Sequence, residues 1–425
     1  MAPCFVTLLN HEELASTENS MVYLASRMPH IAIIGYGVVG QAVGAVLAAK
    51  VKGAKVSAFD PQQKPRGAGR VRAASSFKSA VGAADYVFLC VPSHLEGKGI
   101  EGKGWKRLAA QIVRHARPDA IIVIKSTMVP GDVARLEELT SRKVVVCPEF
   151  MAEGTAERDI LKPHRVLVGG SDQVAVDSVI RLYRHWVPAS RIIRMDAWSA
   201  QLAKLLANAM LAQRVASINS AAALCEQGGG DIRQVAKAIG LDPRIGSLYL
   251  KPSVGFGGSC LEKDVRLFCA LAQCMGLPDV ARYWQSIIAQ NDAQILRVTR
   301  QISKMAGKGG RIAVLGLAFK PGVSDLRSSA PLRIAQGLVE LGHTVIAHDP
   351  KVKGVKGVRV ASTPYAAAKN AAVIAVLNDE PLYRALDWKR VASLAASGVQ
   401  AYACSASISR LVAARLETFT LGGVA

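Results

Sequence analysis

A glycine-rich stretch in the middle of the chain contains a cysteine whose setting favours nucleophilic chemistry. Residues 251–264 read KPSVGFGGSCLEKD, with three glycines shortly before Cys260 and Lys263 three positions after it. Glycines let backbone approach a bound ligand, and the residues after Cys260 are typical of a helix. A cysteine at a helix N-terminus beside a lysine has a stabilised thiolate, so Cys260 is predicted to be a nucleophile. The alternative is a buried cysteine that only fills space, as free cysteines commonly do.

Polar groups in two other stretches are candidates to act with such a nucleophile. Lys204 and Asn208 are four residues apart in an alanine- and leucine-rich stretch, so they lie on one face of a predicted helix. If that face is buried they need partners, and an oxyanion is a suitable one. Glu149 and Glu153 follow a predicted strand, where ligands bind in parallel sheets. For all four residues, an ordinary surface position is the alternative.

A glycine pattern near residue 35 predicts a dinucleotide site. It fits G-x-G-x-x-G and has an acid, Asp60, 20 residues beyond its last glycine. The glycines allow a tight turn and close approach to a pyrophosphate, and the acid binds ribose hydroxyls and repels a 2′-phosphate. NAD is therefore the expected cofactor, although Lys64 and Arg66 keep NADP open. The residues of the turn are Gly35, Tyr36, Gly37, Val38, Val39 and Gly40.

Short β-branched runs alternate with helical stretches at both ends of the chain, and a helical segment lies between residues 198 and about 302. This order predicts an α/β fold with two Rossmann-like, doubly wound parallel-sheet domains joined by helices. The predicted strands are Ile31–Ile34, Val56–Phe59, Tyr86–Val91, Ile121–Ile124, Val144–Cys147, Val166–Val168, Arg311–Leu315, Thr344–Ala347, Val373–Leu377 and Gln400–Ala403.

Composition excludes several classes of protein. The chain has 425 residues, half of them hydrophobic, which rules out general disorder and a single small module. Its eight cysteines include no C-x-x-C pair, so neither a disulfide framework nor a metal site is expected, and a reducing, cytoplasmic location is favoured. The net charge of +21 suggests anionic partners. Its densest run, residues 64–72, is interpreted as a solvated loop rather than a nucleic-acid site.

Residues 31–49 contain no formal charge and resemble a membrane span in length. Four glycines and a second apolar run directly afterwards instead favour strand, turn, helix and strand, so no membrane partner is expected. Residues 1–28 carry three glutamates and no basic residue before Arg27, which fits neither a signal peptide nor a transit peptide. They are interpreted as an N-terminal extension.

Seven separated motifs together resemble the UDP-glucose/GDP-mannose dehydrogenase family, and within it the members that oxidise UDP-glucose. The resemblance runs in order over about residues 30 to 400. It implies an NAD-binding Rossmann domain (29–197), a helical central dimerisation domain (198–305) and a UDP-sugar-binding Rossmann-like domain (306–425), in a homodimer or larger assembly. The motifs are GYGVVG (35–40), KSTMVPG (125–131), PEFMAEG (148–154), KLLANAMLAQR (204–214), RIGSLYLKPSVGFGGSCLEKD (244–264), ARYWQ (281–285) and LGLAFKPGVSDLRSS (315–329).

The resemblance also implies a four-electron oxidation, in which UDP-glucose, two NAD and water yield UDP-glucuronate and two NADH. Cys260 would attack the intermediate aldehyde, giving a thiohemiacetal and then a thioester. Lys204, or a water held by Asp264, would take the proton of the alcohol, and Lys204 with Asn208 would stabilise the oxyanion. Glu149, with a water positioned by Thr127 and Asp264, would assist hydrolysis of the thioester.

Binding roles carry over position by position. The matching cofactor contacts outside the glycine turn and Asp60 are Val91, Pro92, Ser126, Thr127, Glu153, Lys263 and Arg327. The matching contacts to the nucleotide sugar are Glu149, Phe150, Met151, Glu153, Lys204, Asn208, Lys251, Ser253, Gly255, Phe256, Gly257, Cys260, Phe319 and Lys320. Arg244 matches an arginine that reaches the substrate of the neighbouring subunit.

Two features depart from the family pattern, and a third stretch has no assigned place in it. Glu262 stands where a neutral residue is common, and it would weaken the effect of Lys263 on Cys260 unless its side chain points away. Residues 403–407 read ACSAS, where family members carry acidic and basic residues that contact the sugar nucleotide. The Gly/Lys stretch at 97–104 has no assigned place. The second departure leaves other substrates open, such as UDP-N-acetylmannosamine or GDP-mannose.

A third hypothesis is a catalytically silent, basic protein that binds nucleotides or nucleic acid. The intact Cys260 motif argues against it.

Overall fold

The structure is a computed structural model that describes residues 28–62, 70–92, 102–404 and 417–422. Two units follow one another along the chain, the first ending at Lys204 and the second beginning at Leu205. Each unit contains one sheet, so the predicted fold class is confirmed. Three predicted features lie wholly or partly outside the described residues: the N-terminal extension, most of the basic run at 64–72, and residues 97–101 of the Gly/Lys stretch.

The first sheet has eight strands in the order β3-β2-β1-β4-β5-β6-β7-β8. All six strands predicted for this region are present, while β3 and β8 were missed. β3 is three residues long and begins within the basic run, and β8 contains an arginine. The strands are β1 (His30–Ile34), β2 (Lys55–Phe59), β3 (Val71–Ala73), β4 (Tyr86–Leu89), β5 (Ile121–Ile124), β6 (Val144–Val146), β7 (Val166–Gly170) and β8 (Ile192–Met195).

One strand pair in this sheet departs from the predicted parallel arrangement. β6 and β7 are antiparallel, with Val145 opposite Gly170 and Val146 opposite Gly169. The connection between them, residues 147–165, contains only a six-residue helix, and an antiparallel pair needs no full crossover. The amino end of β7 consequently lies at the same edge of the sheet as the carboxyl ends of β1, β4, β5 and β6.

Helices cover both faces of the first sheet. Ile31 and Ile33 of β1 belong to one apolar cluster, and Ala32 and Ile34 belong to another on the opposite face. A strand that is buried on both faces has a continuous apolar sequence, and for this reason residues 31–34 resembled the start of a membrane span. The helices are α1 (Val38–Lys50), α2 (Phe77–Val81), α3 (Lys103–His115), α4 (Asp132–Thr140), α5 (Ala156–Leu161) and α6 (Gln173–Tyr183). Within the described ranges, no helix is long and apolar enough to cross a bilayer.

The predicted helical middle is present, and it is interrupted after Gly228 and again before Leu261. The 32-residue helix α7 begins in the first unit and continues into the second, and it ends at Gly228, directly before Gly229 with φ +70°. The glycine-rich loop at residues 255–258 precedes the third helix of the segment. The helices are α7 (Ala197–Gly228), α8 (Ile232–Gly240), α9 (Leu261–Cys274) and α10 (Pro278–Ala306).

The second sheet is parallel throughout, in the order β11-β10-β9-β12-β13-β14. The four predicted strands are present, whereas the two edge strands, β11 and β14, were missed. Its strands are β9 (Arg311–Leu315), β10 (Thr344–His348), β11 (Arg359–Val360), β12 (Val373–Val376), β13 (Gln400–Ala403) and β14 (Glu417–Thr420). Its helices are α11 (Ala330–Glu340), α12 (Pro364–Ala368), α13 (Pro381–Arg384) and α14 (Trp388–Leu394).

Candidate functional site

The glycine turn after β1 has the geometry that a dinucleotide requires. Gly35 has φ +87°, and a Cβ there would lie 2.6 Å from the carbonyl oxygen of Cys90. A Cβ on Gly40 would lie 2.0 Å from the oxygen of Gly35, so α1 packs too closely for any side chain. Gly37, the N-cap of α1, has nothing within 4 Å of such a Cβ. A helix N-terminus with open space above its N-cap fits a pyrophosphate.

Asp60 is held beside this turn at the end of β2. Its Oδ2 accepts a hydrogen bond of 2.7 Å from the backbone N–H of Tyr36, and its Oδ1 accepts one of 2.8 Å from Gln62. The carboxylate is thereby oriented while part of it stays accessible, as an acceptor for ribose hydroxyls must be. Val38 is exposed and Val39 is half-buried. The alternative basic partners, Lys64 and Arg66, lie outside the described residues.

The ends of β4 and β5 meet next to the turn. The Ser126 hydroxyl donates to the carbonyl oxygen of Val91 at 2.6 Å, which ties the residue after β5 to the loop after β4. Ser126 is buried, Thr127 and Val91 are half-buried, and Pro92 is exposed. The structure thus brings together four residues that the sequence placed in cofactor contacts.

Glu149 and Lys204 form an ion pair in the first unit. The Nζ of Lys204 lies 3.0 Å from Oε1 of Glu149, and both side chains are largely buried. The backbone N–H of Met151 donates to the other carboxylate oxygen of Glu149 at 2.7 Å. Lys204 is therefore not a surface lysine, and its partner is one of the predicted site residues. Phe150 lies beside the pair, with the Lys204 Nζ 5.4 Å from its ring centroid, and Glu153 is half-buried before α5.

Two further cations lie near this pair and were missed by the sequence reasoning. The guanidinium of Arg165 stacks on Phe150, with its Cζ 3.7 Å from the ring centroid. Lys125, at the end of β5, is buried, and its Nζ lies 3.4 Å from the carbonyl oxygen of Pro148 and 3.3 Å from the hydroxyl of Tyr183. Lys125 stood within a recognised motif, whereas Arg165 had no sequence signal, because its position depends on the direction of β7.

In the second unit, Cys260 is the N-cap of α9 and its side chain is exposed. This excludes the alternative of a buried cysteine. The glycines before it are required by close packing, because a Cβ on Gly257 would lie 2.3 Å from the oxygen of Ser328. A Cβ on Gly258 would lie 2.8 Å from the ring of Phe319. The sulfur is therefore presented from a rigid turn at the positive end of a helix dipole.

Asp264 is the centre of a polar group one turn into α9. The Asn208 side-chain amide donates to its Oδ2 at 2.6 Å, and the Nζ of Lys263 lies 2.8 Å from its Oδ1. Asp264 is only 1% exposed, so its charge depends on these partners. Asn208 is half-buried and accordingly is not an ordinary surface residue.

Glu262 is paired away from the cysteine. Its Oε1 accepts hydrogen bonds from the guanidinium of Arg266, at 2.6 Å and 2.9 Å. Arg266 and Ser328 hold the pKa of Glu262 below its usual value against the opposing effect of burial. The arginine one turn along the helix compensates the charge that departs from the family pattern.

The segment leading to Cys260 is anchored through its backbone. The N–H of Phe256 donates to the side-chain oxygen of Asn291 at 2.8 Å, and the N–H of Ser253 donates to that of Asn219 at 2.8 Å. Gly255 has φ +140°, a conformation that needs glycine. The chain is thus held in an irregular path that regular secondary structure cannot provide.

The remaining predicted substrate contacts of this unit are cationic or aromatic. Lys251 is exposed and forms an ion pair of 2.7 Å with Asp379. The Nζ of Lys320 lies 5.7 Å from the ring centroid of Phe319. Both lysines thus lie next to polar or aromatic groups.

Two predicted arginines are bound to acids two residues before them. Arg327 pairs with Asp325 at 2.6 Å, and Arg244 pairs with Asp242 at 2.6 Å. The Arg244 side chain is 87% exposed. Most of the departing segment after β13 lies outside the described residues, which include only residues 403 and 404 of it.

No group of three or more potential metal ligands occurs in the described parts of the chain.

Comparison with protein families decides the identity. Three domains of one family match successive parts of the chain: the NAD binding domain at 62–187, the central domain at 198–293 and the UDP binding domain at 313–401. The chain belongs to the UDP-glucose/GDP-mannose dehydrogenase family. As a member, it is an NAD-dependent nucleotide-sugar dehydrogenase, which confirms the predicted cofactor and enzyme class.

Relatives within the family are identical to this chain at somewhat more than a third of the aligned residues. UDP-glucose 6-dehydrogenase 1 of Oryza sativa subsp. japonica is 36% identical over 365 residues, covering 75% of this chain and 76% of the relative. The Gallus gallus UDP-glucose 6-dehydrogenase is 37% identical and covers 75% and 72%. A UDP-glucose dehydrogenase structure from Pyrobaculum islandicum superposes with a TM-score of 0.81 at 25% identity, over 94% of this chain and 99% of that one.

Proposed function

We propose that this family member oxidises UDP-glucose to UDP-glucuronate through a covalent intermediate on Cys260. The observation that carries the proposal is the exposed Cys260 at the N-terminus of α9, one turn before the Asp264–Asn208 pair. The substrate assignment is supported by the relatives named as UDP-glucose 6-dehydrogenases. The overall reaction consumes one UDP-glucose, two NAD and one water.

The first oxidation removes a proton and a hydride from the primary alcohol. The glycine turn and Asp60 would hold NAD, which would supply the hydride acceptor for each of the two oxidations. The proton passes to Lys204 or to a water held by Asp264. Glu149, whose Oε1 lies 3.0 Å from the Lys204 Nζ, orients this nitrogen and stabilises the ammonium that forms when the Lys204 amine takes the proton. The Met151 N–H orients the second oxygen of Glu149.

The second oxidation proceeds on the enzyme. The Cys260 sulfur adds to the aldehyde to give a thiohemiacetal, whose oxygen is stabilised by Lys204 and Asn208. Loss of a second hydride, together with loss of the hydroxyl proton to water, leaves a thioester. One water then hydrolyses the thioester and releases the carboxylate and the free thiol. Thr127, Glu149 and Asp264 are assigned to the hydrolytic water. Because the aldehyde stays covalently bound, it is not released.

The stoichiometry and one variant test the proposal. We expect two NADH for each UDP-glucose, followed by absorbance, with UDP-glucuronate identified by mass spectrometry. Cys260→Ser should abolish sustained turnover, while the matched variant Cys274→Ser, at the exposed C-terminal end of α9, should remain active. Undiminished UDP-glucuronate formation by Cys260→Ser would exclude the assigned role. Preferential oxidation of UDP-N-acetylmannosamine or GDP-mannose would keep the chemistry and change the substrate.

We further propose that the working unit is a homodimer in which Arg244 contacts the substrate of the neighbouring subunit. The exposed Arg244 stands at the start of a loop whose backbone is fixed by Arg214. The Arg214 guanidinium donates to the carbonyl oxygens of Ile245, Gly246 and Leu248 at 3.0, 2.7 and 2.8 Å. Leu248 is 79% exposed, so the same loop presents an apolar side chain to a partner.

Subunit mixing tests this arrangement. Arg244→Ala alone should raise the KM for UDP-glucose, and Cys260→Ser alone should be inactive. Mixed dimers of the two variants combine an intact cysteine of one subunit with an intact arginine of the other. Mixed dimers should therefore contain active sites with the KM of the wild type for UDP-glucose. Mixtures that show only the KM of Arg244→Ala would contradict the contribution in trans.

A further inference from the structure

The antiparallel strand β7 brings an additional arginine to the ligand-binding edge of the first sheet. Because Val146 of β6 pairs with Gly169 of β7, the chain leaving β6 runs beside the chain entering β7. Phe150 lies four residues after β6, and Arg165 lies directly before β7. In a sheet with parallel β6 and β7, Arg165 would lie at the opposite edge, away from the ligands.

The charges around Phe150 leave this arginine uncompensated. Lys204 is paired with Glu149, whereas the described residues place no acidic side chain within ion-pair distance of Arg165. Burial lowers the pKa of Arg165, which shows that its charge is partly removed from water. The ring of Phe150 covers one face of the guanidinium at 3.7 Å and leaves its N–H edge free for a bidentate anion.

The position of β7 indicates which ligand supplies that anion. β7 is the fourth strand from β1 in the order β1-β4-β5-β6-β7. At about 4.8 Å per strand, the two strands are roughly 19 Å apart. The glycine turn after β1 would hold the pyrophosphate of NAD, its anionic group. The anion at Arg165 must therefore belong to the other ligand, the nucleotide sugar.

We propose that Arg165, stacked on Phe150, binds the diphosphate of the nucleotide-sugar substrate. This inference rests on the proposed function, because it takes a nucleotide sugar as the second ligand. The substrate contains no other anionic group before it is oxidised. Glu149 and Lys204, next to the same ring, act at the sugar end, and Arg165 acts at the phosphate end.

A graded series of ligands tests the proposal in the full-length protein. Dissociation constants of uridine, UMP, UDP and NAD are measured by calorimetry for the wild type, Arg165→Ala and Arg165→Lys. The control is Arg158→Ala, an exposed arginine on α5 that makes no ion pair within the described residues. Thermal unfolding of each variant is measured alongside, and Arg165→Gln replaces Arg165→Ala if the alanine variant does not fold.

Arg165→Ala should bind UDP roughly 10- to 100-fold more weakly, the loss expected for a charge-assisted hydrogen-bond pair. Its affinity for uridine and NAD should be unchanged. The UDP affinity of Arg165→Lys should lie between those of the wild type and Arg165→Ala, because lysine keeps the charge but lacks the planar guanidinium. Arg158→Ala should bind all four ligands with the affinities of the wild type.

Three results would overturn the proposal. An unchanged UDP affinity would exclude a phosphate contact, an equal loss for uridine would show that Arg165 acts only by positioning Phe150, and a selective loss of NAD affinity would assign it to the cofactor. Failure of the proposed function is recognised separately. In that case the wild type itself does not bind UDP or does not oxidise UDP-glucose.

Discussion

Asp264 shows how single residues of the site depend on one another. It is buried, and its two oxygens are held by Asn208 and Lys263. A buried carboxylate of this kind is tolerated because both partners are close, and removing its charge changes the orientation of both. The carboxylate is therefore a sensitive position for catalysis rather than for folding alone.

Asp264→Asn should lower kcat by roughly 10²- to 10⁴-fold, because the variant keeps the shape but loses the acceptor for a proton or a water. Steady-state kinetics with UDP-glucose and thermal unfolding measure the effect. Asp279→Asn, an 84% exposed acid paired with Arg282, serves as the control and should keep the wild-type kcat. A variant of Asp264 with normal kcat would contradict its role.

His348 is a buried histidine of the second unit whose protonation is expected to affect stability. It is buried at the end of β10, where its Nδ1 lies 3.2 Å from the hydroxyl of Tyr383. Burial lowers its pKa, opposed by the neighbouring charge of Asp349. The unfolded chain therefore binds a proton more readily than the folded one, so this contribution to stability is present above pH about 6.5 and is lost as the pH falls.

Chemical denaturation between about pH 5 and 8 checks this sign, since the window lies around the usual histidine pKa. As the pH falls, the free energy of unfolding of His348→Gln should decrease less than that of the wild type. A His343→Gln variant controls for the other buried histidine of this unit. Equal pH dependence in the wild type and His348→Gln would contradict the assignment.

The turn between β1 and α1 contains two glycines that are required for different reasons. The sequence pattern predicts a tight bend at the first glycine and close approach to a pyrophosphate at the second, and the structure gives a separate physical reason for each. Gly35 is required by its φ and by the backbone of Cys90, whereas Gly37 faces open space. The first glycine therefore serves the fold, and the second is expected to serve the ligand.

Gly35→Ala should destabilise the protein by about 2 kcal/mol or more. Alanine would be forced into a left-handed φ that it disfavours, and its Cβ would clash with the carbonyl oxygen of Cys90. Gly37→Ala should change stability by less than about 1 kcal/mol, the usual difference between glycine and alanine at an N-cap. It should nevertheless weaken NAD binding roughly tenfold or more, equivalent to about 1.4 kcal/mol. Denaturation and NAD titration separate the two effects; equal destabilisation would contradict the distinction.

The net charge of +21 is a property of the whole molecule. Both ligands of the enzyme are anionic, yet the site residues account for only a few of the 53 lysines and arginines. Such an excess attracts anions over distances comparable to the Debye length. It is therefore expected to affect association with substrate more than chemistry.

Raising the salt from about 0.05 to 0.5 M should lower kcat/KM for UDP-glucose, because screening shortens the Debye length severalfold. The kcat at saturating substrate should change much less. Steady-state kinetics at several salt concentrations separate the two parameters. A kcat/KM that does not vary with salt would show that the surface charge plays no part in substrate capture.

Spacing along the chain was enough to predict the fold class, the cofactor and the family, because each depends on local patterns. The G-x-G-x-x-G turn, the acid after β2 and the ordered motifs are all read along the chain. The exposure of Cys260 follows from how the chain packs around it, which the local sequence does not show. The Glu149–Lys204 pair joins residues far apart in sequence, so it too is visible only in the tertiary structure. The same holds for Arg165: strand direction is set by the pairing of β6 with β7, which no local pattern reveals.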